Sequence, residues 1–214
     1  MFTHPAVKYW RDIEVMTTKR VLQNTRINSP VLDLGCGDGQ IARKIFHNVD
    51  IIGIDIVPTK YGVVMDARKL NFPANYFGAV FSNCVLEHIQ DIKTVIKQVD
   101  RVLKKKGYFI FTVPSEHFKD NLMFSWIPGY GWLRNKQLQH YNCFKQIDWE
   151  QMLWDIVFYS ILTQGYITPE QGVFWDKLCW INKFNLGIKP KKPCQDLQKY
   201  AKNASARLVV AQKL

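Results

Sequence analysis

The stretch Val31-Leu32-Asp33-Leu34-Gly35-Cys36-Gly37-Asp38-Gly39-Gln40 constrains this chain more than any other. An apolar strand ends in a carboxylate, turns through three glycines at alternate positions and feeds a helix expected from about Gln40 to His47. Glycines let the backbone turn sharply and leave no Cβ between loop and ligand, and the helix aims its N-terminal amides at the same spot. Twenty residues after Gly35 a second apolar strand, Ile51-Ile52-Gly53-Ile54-Asp55, also ends in an acid. In nucleotide-binding α/β domains a carboxylate at that spacing accepts hydrogen bonds from ribose hydroxyls.

The ligand is not read directly from the loop. A dinucleotide fingerprint needs a third glycine at position 40 or 42, and the chain has Gln40 and Ala42. Alanine occurs there in some dinucleotide sites, so spacing alone leaves that register open. The charges argue against it, because a pyrophosphate would meet the carboxylates of Asp33 and Asp38. A ligand with a positive end and no phosphate suits the loop better. The Gly-Lys-Ser/Thr ending of a phosphate-binding P-loop is missing.

Downstream, strands expected at 62–65, 78–82 and 107–113 alternate with a helix at 91–104, which implies a parallel sheet with helices on both faces. Residues 1–28 read as a helical cap, with an apolar stripe of Val7, Trp10, Val15, Val21 and Leu22 in a helix over 5–27. Residues 116–146 break the pattern: aromatic side chains from Phe118 to Trp132 are interleaved with Pro128, Gly129 and Gly131, as in a lid or substrate segment, or a satellite core. Residues 147–214 supply a further helix, a strand near 157–163, a helix opened by Pro169, the linker Lys189-Pro190-Lys191-Lys192-Pro193 with a short helix, and a last strand over 206–211. The length suits one α/β domain.

Nothing at the N-terminus reads as a secretory signal, and no apolar run approaches a membrane span. The five cysteines are odd in number and none forms C-x-x-C. That favours free thiols in a reducing cytoplasm over disulfides or zinc, so no metal is expected. The net charge of +11 is uneven: Lys183, Lys189, Lys191, Lys192, Lys199, Lys202, Arg207 and Lys213 face only Asp196 among the last residues. An anionic membrane surface, nucleic acid and a plain solvated lysine face all fit that excess.

Taken in order, the motifs resemble the class I S-adenosylmethionine-dependent methyltransferases, in particular the type 11 group acting on small molecules and lipids. Val31 to Gly39 resembles the first motif, Ile51 to Asp55 the second strand with its ribose acid, and Met65-Asp66-Ala67 with Leu70-Asn71-Phe72-Pro73 the adenine segment. Phe77 to Ile89, with Leu86-Glu87-His88, resembles the fourth motif, and Arg101 to Pro114 the fifth strand and its approach. Gly78 stands where that family usually has an acid, and Lys105-Lys106-Gly107 where it usually has a Pro-Gly-Gly turn.

The resemblance implies a Rossmann-like, seven-stranded, mostly parallel sheet with an antiparallel last strand. It implies S-adenosylmethionine as cofactor, held by Asp33, Gly35, Cys36, Gly37, Gly39, Asp55 with Ile56, Asp66, Ala67, Asn83 and Cys84 within residues 30–115. It makes His140, and after it His88, the candidate bases toward a small-molecule or lipid-like acceptor. Two alternatives stay open: a cofactor-binding partner protein without catalysis, and an RNA methyltransferase. The fourth motif lacks the Asn/Asp-Pro-Pro-aromatic nucleobase signature, which counts against the latter.

Overall fold

The computed structural model describes residues 4–156, 158–183 and 203–214. Helix α1 (Pro5–Leu22) precedes β1 (Val31–Leu34), α2 (Gln40–Ile45), β2 (Ile51–Asp55), β3 (Gly62–Val64), β4 (Phe77–Asn83), α3 (Ile92–Val102) and β5 (Leu103–Pro114). Helices α4 (Tyr130–Leu138) and α5 (Gln146–Trp154), strand β6 (Phe158–Gly165), α6 (Pro169–Lys183) and β7 (Ala206–Lys213) follow. The seven strands form one sheet in the order β3-β2-β1-β4-β5-β7-β6. The first five are mutually parallel, and β7 inserts antiparallel between β5 and β6.

Alternation along the strands splits the core into two layers. Leu32, Val80, Phe109 and Phe111 pack on one face with α3 and Trp149; Val31, Phe81 and Ile110 pack on the other with α1, α2 and Leu178. Helix α3 shows how sequence makes an element: Asp91 accepts from Thr94 N at its start, and Ile92, Val95, Ile96, Val99 and Val102 form one buried stripe. Strands β2, β1 and β4 bring their carboxyl ends side by side, with Leu34 opposite Ile54 and Ser82. Ligands of such sheets bind beyond those ends.

Several expectations change. Helix α1 stops at Leu22, and its inward face is Tyr9, Trp10, Ile13, Glu14 and Thr17, whereas Val7 of the expected stripe is 38% exposed. Strand β5 begins at Leu103 and runs through the lysines, with a register shift opposite Phe77 and Ala79. Gly78 sits against the backbone of Asn28, where any Cβ would collide, which accounts for the missing acid. Helix α4 forms where irregular chain was expected; it starts after Gly129, whose φ is +81°. Its segment is pinned to α6 by the buried Asp176, which accepts from Tyr130 Oη at 2.7 Å, Met123 N at 3.1 Å and Arg134 Nε at 3.1 Å.

The expected linker and short helix around 189–202 lie outside the described residues, as do Lys189, Lys191, Lys192, Lys199 and Lys202 of the basic crowd. Arg207 and Lys213 of that crowd are not free surface charges. Arg207 is 4% exposed and pairs with Glu116 at 2.7 Å, and Lys213 pairs with Asp100 at 3.2 Å. Among the described residues no helix is long and apolar enough to cross a membrane.

Candidate active site

The glycine loop leaves β1 at the sheet's carboxyl edge. Gly35 has φ +76° and lies against Val85, so a Cβ there would meet that side chain. Gly37 has φ +49° and faces open space. Across the loop, Asp55 at the end of β2 accepts from Gly37 N at 2.9 Å and from Val57 N at 3.2 Å. Asp55 therefore shapes the loop while leaving carboxylate lone pairs for a ligand. Cys36 packs over Gly53 and Gly62 and stands 3.6 Å from Thr59 Oγ1, and burial pushes its thiol pKa up.

A cavity of about 520 Å³ runs from the loop along the strand ends. Gly35, Asp55, Ile56, Asp66, Ala67 and Val85 line it. Asp66 is already engaged: it accepts from Arg68 N at 2.9 Å and pairs with the Arg68 guanidinium at 2.6 Å, and these hydrogen bonds hold its carboxyl below the usual range. On the loop's other side a smaller cavity of about 90 Å³ is lined by Asp33, Gly37, Asp38, Asn83 and Arg11. Asp33 is 4% exposed, and burial, reinforced by Asp55 and Asp38 against Arg43, raises its pKa to about 7. A buried carboxylate in that condition is one that a cationic ligand would relieve.

Behind this cavity stands a group that the sequence analysis missed. Glu14 of α1 is fully buried and accepts five donors. Trp10 Nε1 at 2.8 Å, Cys84 Sγ at 2.9 Å and Tyr166 Oη at 3.0 Å reach Oε1, while Arg11 at 2.7 Å and Asn83 Nδ2 at 3.0 Å reach Oε2. Burial alone would lower the pKa of Arg11, but Glu14 overrides it and Arg11 stays charged. Asn83 is also bound at Oδ1 by Thr112 at 3.0 Å, so it and Cys84 are turned toward Glu14. They still border cavities, Asn83 the small one at the loop and Cys84 a third of about 190 Å³.

That third cavity is walled by Trp10, Arg11, Glu87, His88, Phe118 and His140. The two candidate histidines, 52 positions apart in the chain, come together here with ring centroids 5.3 Å apart. Asn142 makes this possible: its Nδ2 donates to Leu86 O at 2.7 Å and Ile89 O at 2.6 Å, stitching the segment after α4 onto the 3-10 turn Leu86–His88. Burial, then His88 and Arg134, pull the His140 pKa down to about 4, so the ring is neutral and weakly basic. Glu116, another carboxylate near the sheet edge, is held ionised by Arg207 despite its burial.

With this geometry in view, the comparisons are specific. Residues 32–111 match the family described as Methyltransferase domain. They are a methyltransferase domain of the type 11 group. Over 113 residues the chain is 31% identical to an uncharacterized methyltransferase of Schizosaccharomyces pombe, covering 44% of each. Over 98 residues it is 33% identical to the sterol 24-C-methyltransferase of Aspergillus fumigatus, covering 37% of this chain and 26% of that protein. The chain thus spans less than half the length of these two curated relatives. A crystal structure of a SAM-dependent methyltransferase from Archaeoglobus fulgidus superposes with a TM-score of 0.64 at 16% identity, covering 96% of both chains. The chain therefore has the Rossmann-like class I fold, including the part of the sheet built after residue 111.

Of the residues singled out in the sequence, the domain brings Asp33, Gly35, Cys36, Gly37, Asn83, Asp55, Ile56, Asp66 and Ala67 around two adjoining cavities. Gly39, with φ +66°, caps α2 behind them. Cys84, His88 and His140 line the third cavity, and His88 lines the 520 Å³ cavity as well. Arg11 borders both the third cavity and the loop cavity. The sequence signal that could have found it is a carboxylate, Glu14, on the same helix face as Tyr9, Trp10 and Ile13, three residues after an arginine.

Proposed function

We propose that the protein transfers a methyl group from S-adenosylmethionine to a small-molecule or lipid-like acceptor. The observation that carries the reading is Asp33: a buried carboxylate at the glycine loop, with a pKa near 7, where a cationic ligand would be stabilised. The donor set around it fits the cofactor's parts. Asp33 would receive the ammonium group, and the Arg11 guanidinium would pair with the carboxylate. The amides and open backbone of the glycine loop would lie along the methionine arm. Asp55 would accept from the ribose, and the pocket between Ile56, Ala67 and Val85 would take the adenine, with Asp66 sharing its carboxylate between Arg68 and the base.

Bound there, the cofactor would supply a methyl group on a sulfonium, ready for in-line displacement. The protein's part is to align the acceptor and exclude water. Its side chains do so from the third cavity, whose Trp10 and Phe118 rings offer an apolar seat beside Arg11. Trp126, 77% exposed, and Trp132, 66% exposed, stand on the same segment as Phe118. Such rings favour a water–hydrocarbon boundary, which supports a lipid-like acceptor and a peripheral approach to an anionic surface. The sterol acceptor named for the Aspergillus relative agrees with an apolar acceptor.

Co-sedimentation with anionic and neutral vesicles at low salt tests the membrane part. Binding to anionic vesicles that weakens in Trp126→Ala/Trp132→Ala supports it. No binding to either leaves a water-borne metabolite as the acceptor. Formation of S-adenosylhomocysteine from S-adenosylmethionine in a metabolite extract tests the transfer itself, and bound cofactor that is never consumed would favour a non-catalytic partner protein.

A further inference from the structure

One wall of the acceptor-side cavity has polar atoms that the cofactor reading leaves without a role. Glu87 is 1% exposed, and its Oε2 has no hydrogen-bond partner. Nδ1 of His140 is likewise buried with no partner. Unpaired polar atoms of this kind are costly unless a ligand meets them. The third group is oriented. His88 Nδ1 lies 3.0 Å from the carbonyl oxygen of Gln139. A carbonyl only accepts, so Nδ1 carries a proton, and in the neutral ring the lone pair is on Nε2. That nitrogen is 3.9 Å from Glu87 Oε1.

One donor atom from each of Glu87, His88 and His140 lies within 4.8 Å of the other two. We propose that these three side chains bind one divalent transition-metal cation, with an open coordination position facing the acceptor cavity. Two imidazoles and a carboxylate suit zinc, manganese, iron or cobalt, and suit magnesium poorly because it prefers oxygen ligands. Ligand atoms around a tetrahedral zinc stand roughly 3.4 Å apart, so small side-chain rotations would complete the site.

The surroundings agree with this assignment. A backbone carbonyl on the far nitrogen of His88 is the usual support of a metal-binding imidazole. The turn is braced twice, by Tyr141 N and Asn142 N donating to Glu87 O at 2.7 and 3.2 Å, and by the Asn142 side chain on Leu86 and Ile89. The facing charges are Arg11 and Glu14, which act on Glu87 and pair with each other at 2.7 Å, and Arg134, which acts on His140. The open position lies in the cavity walled by Trp10 and Phe118, so the acceptor would present an oxygen, a hydroxyl or carboxylate, on an apolar body. This last clause rests on the methyl-transfer reading; the cation site does not.

The test uses the full chain after chelator treatment, titrated with cobalt(II) and with zinc(II) by calorimetry and, for cobalt, by visible absorption. The expected result is one equivalent bound, with cobalt bands of a low-coordinate nitrogen/oxygen site. His88→Ala and His140→Ala should each weaken binding by at least about tenfold. His117→Ala, outside the cluster, should leave it unchanged. Glu87→Gln probes the carboxylate, and the half-exposed His88 keeps the test decisive if that buried variant does not fold. Absence of stoichiometric cobalt, or binding unaltered in both histidine variants, overturns the proposal. Cofactor titrations on the same samples separate the two readings: S-adenosylmethionine binding without a cation site removes only this one, and a cation site without cofactor binding removes only the methyl-transfer reading.

Discussion

Glu14 Oε2 accepts from Asn83 Nδ2 at 3.0 Å, joining the N-terminal helix to the end of β4 across 69 positions of chain. The carboxylate that makes this bond is fully buried and also holds Arg11, Trp10, Cys84 and Tyr166. Removing it strands a partly buried guanidinium and four other donors. Glu14→Ala should destabilise the fold by about 3 to 5 kcal/mol, and Glu14→Gln by about 1 to 3 kcal/mol because an amide nitrogen would face donors. Urea unfolding measures both, and a cost below that of an ordinary surface substitution would show that α1 is not tied to the sheet through this group.

The loop glycine nearest β1 gives a second test. Gly35→Ala places a Cβ against Val85 at φ +76°, so a loss of about 2 to 4 kcal/mol is expected from clash and backbone strain together. Adding Val85→Ala should recover the steric share and leave the strain. No recovery in the double variant would mean that backbone conformation alone sets the requirement.

Asp33 links stability to pH. Its pKa in the folded chain is about 7 against an ordinary 3.8, so the folded state keeps a proton that the unfolded chain gives up. Its contribution is therefore most favourable below the unfolded value and is lost as pH rises from about 4 to about 7. Asp33→Asn should stabilise the ligand-free protein at neutral pH by about 2 to 4 kcal/mol, the upper end being the full shift. The same variant should bind S-adenosylmethionine more weakly. In the parent protein cofactor affinity should fall as pH drops below 7, by up to about tenfold per unit. Thermal melts and calorimetry between about pH 4 and about pH 8, which spans that window, check both, and a cofactor affinity flat across it would remove Asp33 from the site.

Asp55 holds the loop through Gly37 N and Val57 N and, in the proposed reading, would hold the ribose as well. Asp55→Ala should weaken cofactor binding by about 1.5 to 3 kcal/mol. Because it also accepts from Gly37 N and Val57 N, it should cost about 1 kcal/mol of stability as well. A stability loss with unchanged cofactor affinity would make its role purely structural.

What the sequence made legible follows from how local each constraint is. Glycines at alternate positions, acids at strand ends and the spacing between them are short-range features, so the loop, β1 to β5 and the carboxylate at the end of β2 could be read directly. The position of β7 between β5 and β6 was not legible, because a strand's neighbours depend on where the chain returns. Arg11 and Glu14 escaped notice because the groups that give them meaning, Asn83, Cys84 and Tyr166, lie 69 to 152 positions away. His88 and His140 were each visible as candidates, yet their meeting depends on Asn142 bridging two carbonyls of a distant turn. Arg207 shows the reverse error: counted with the basic surface, it is buried against Glu116 because β7 carries it into the sheet.

The most direct measurement of the central claim is calorimetric titration of the full chain with S-adenosylmethionine, S-adenosylhomocysteine and NAD under one set of conditions. The account predicts one-to-one binding of the first two with micromolar affinity, about −8 kcal/mol, and no heat from NAD. Binding of NAD with none of either S-adenosyl compound would contradict it.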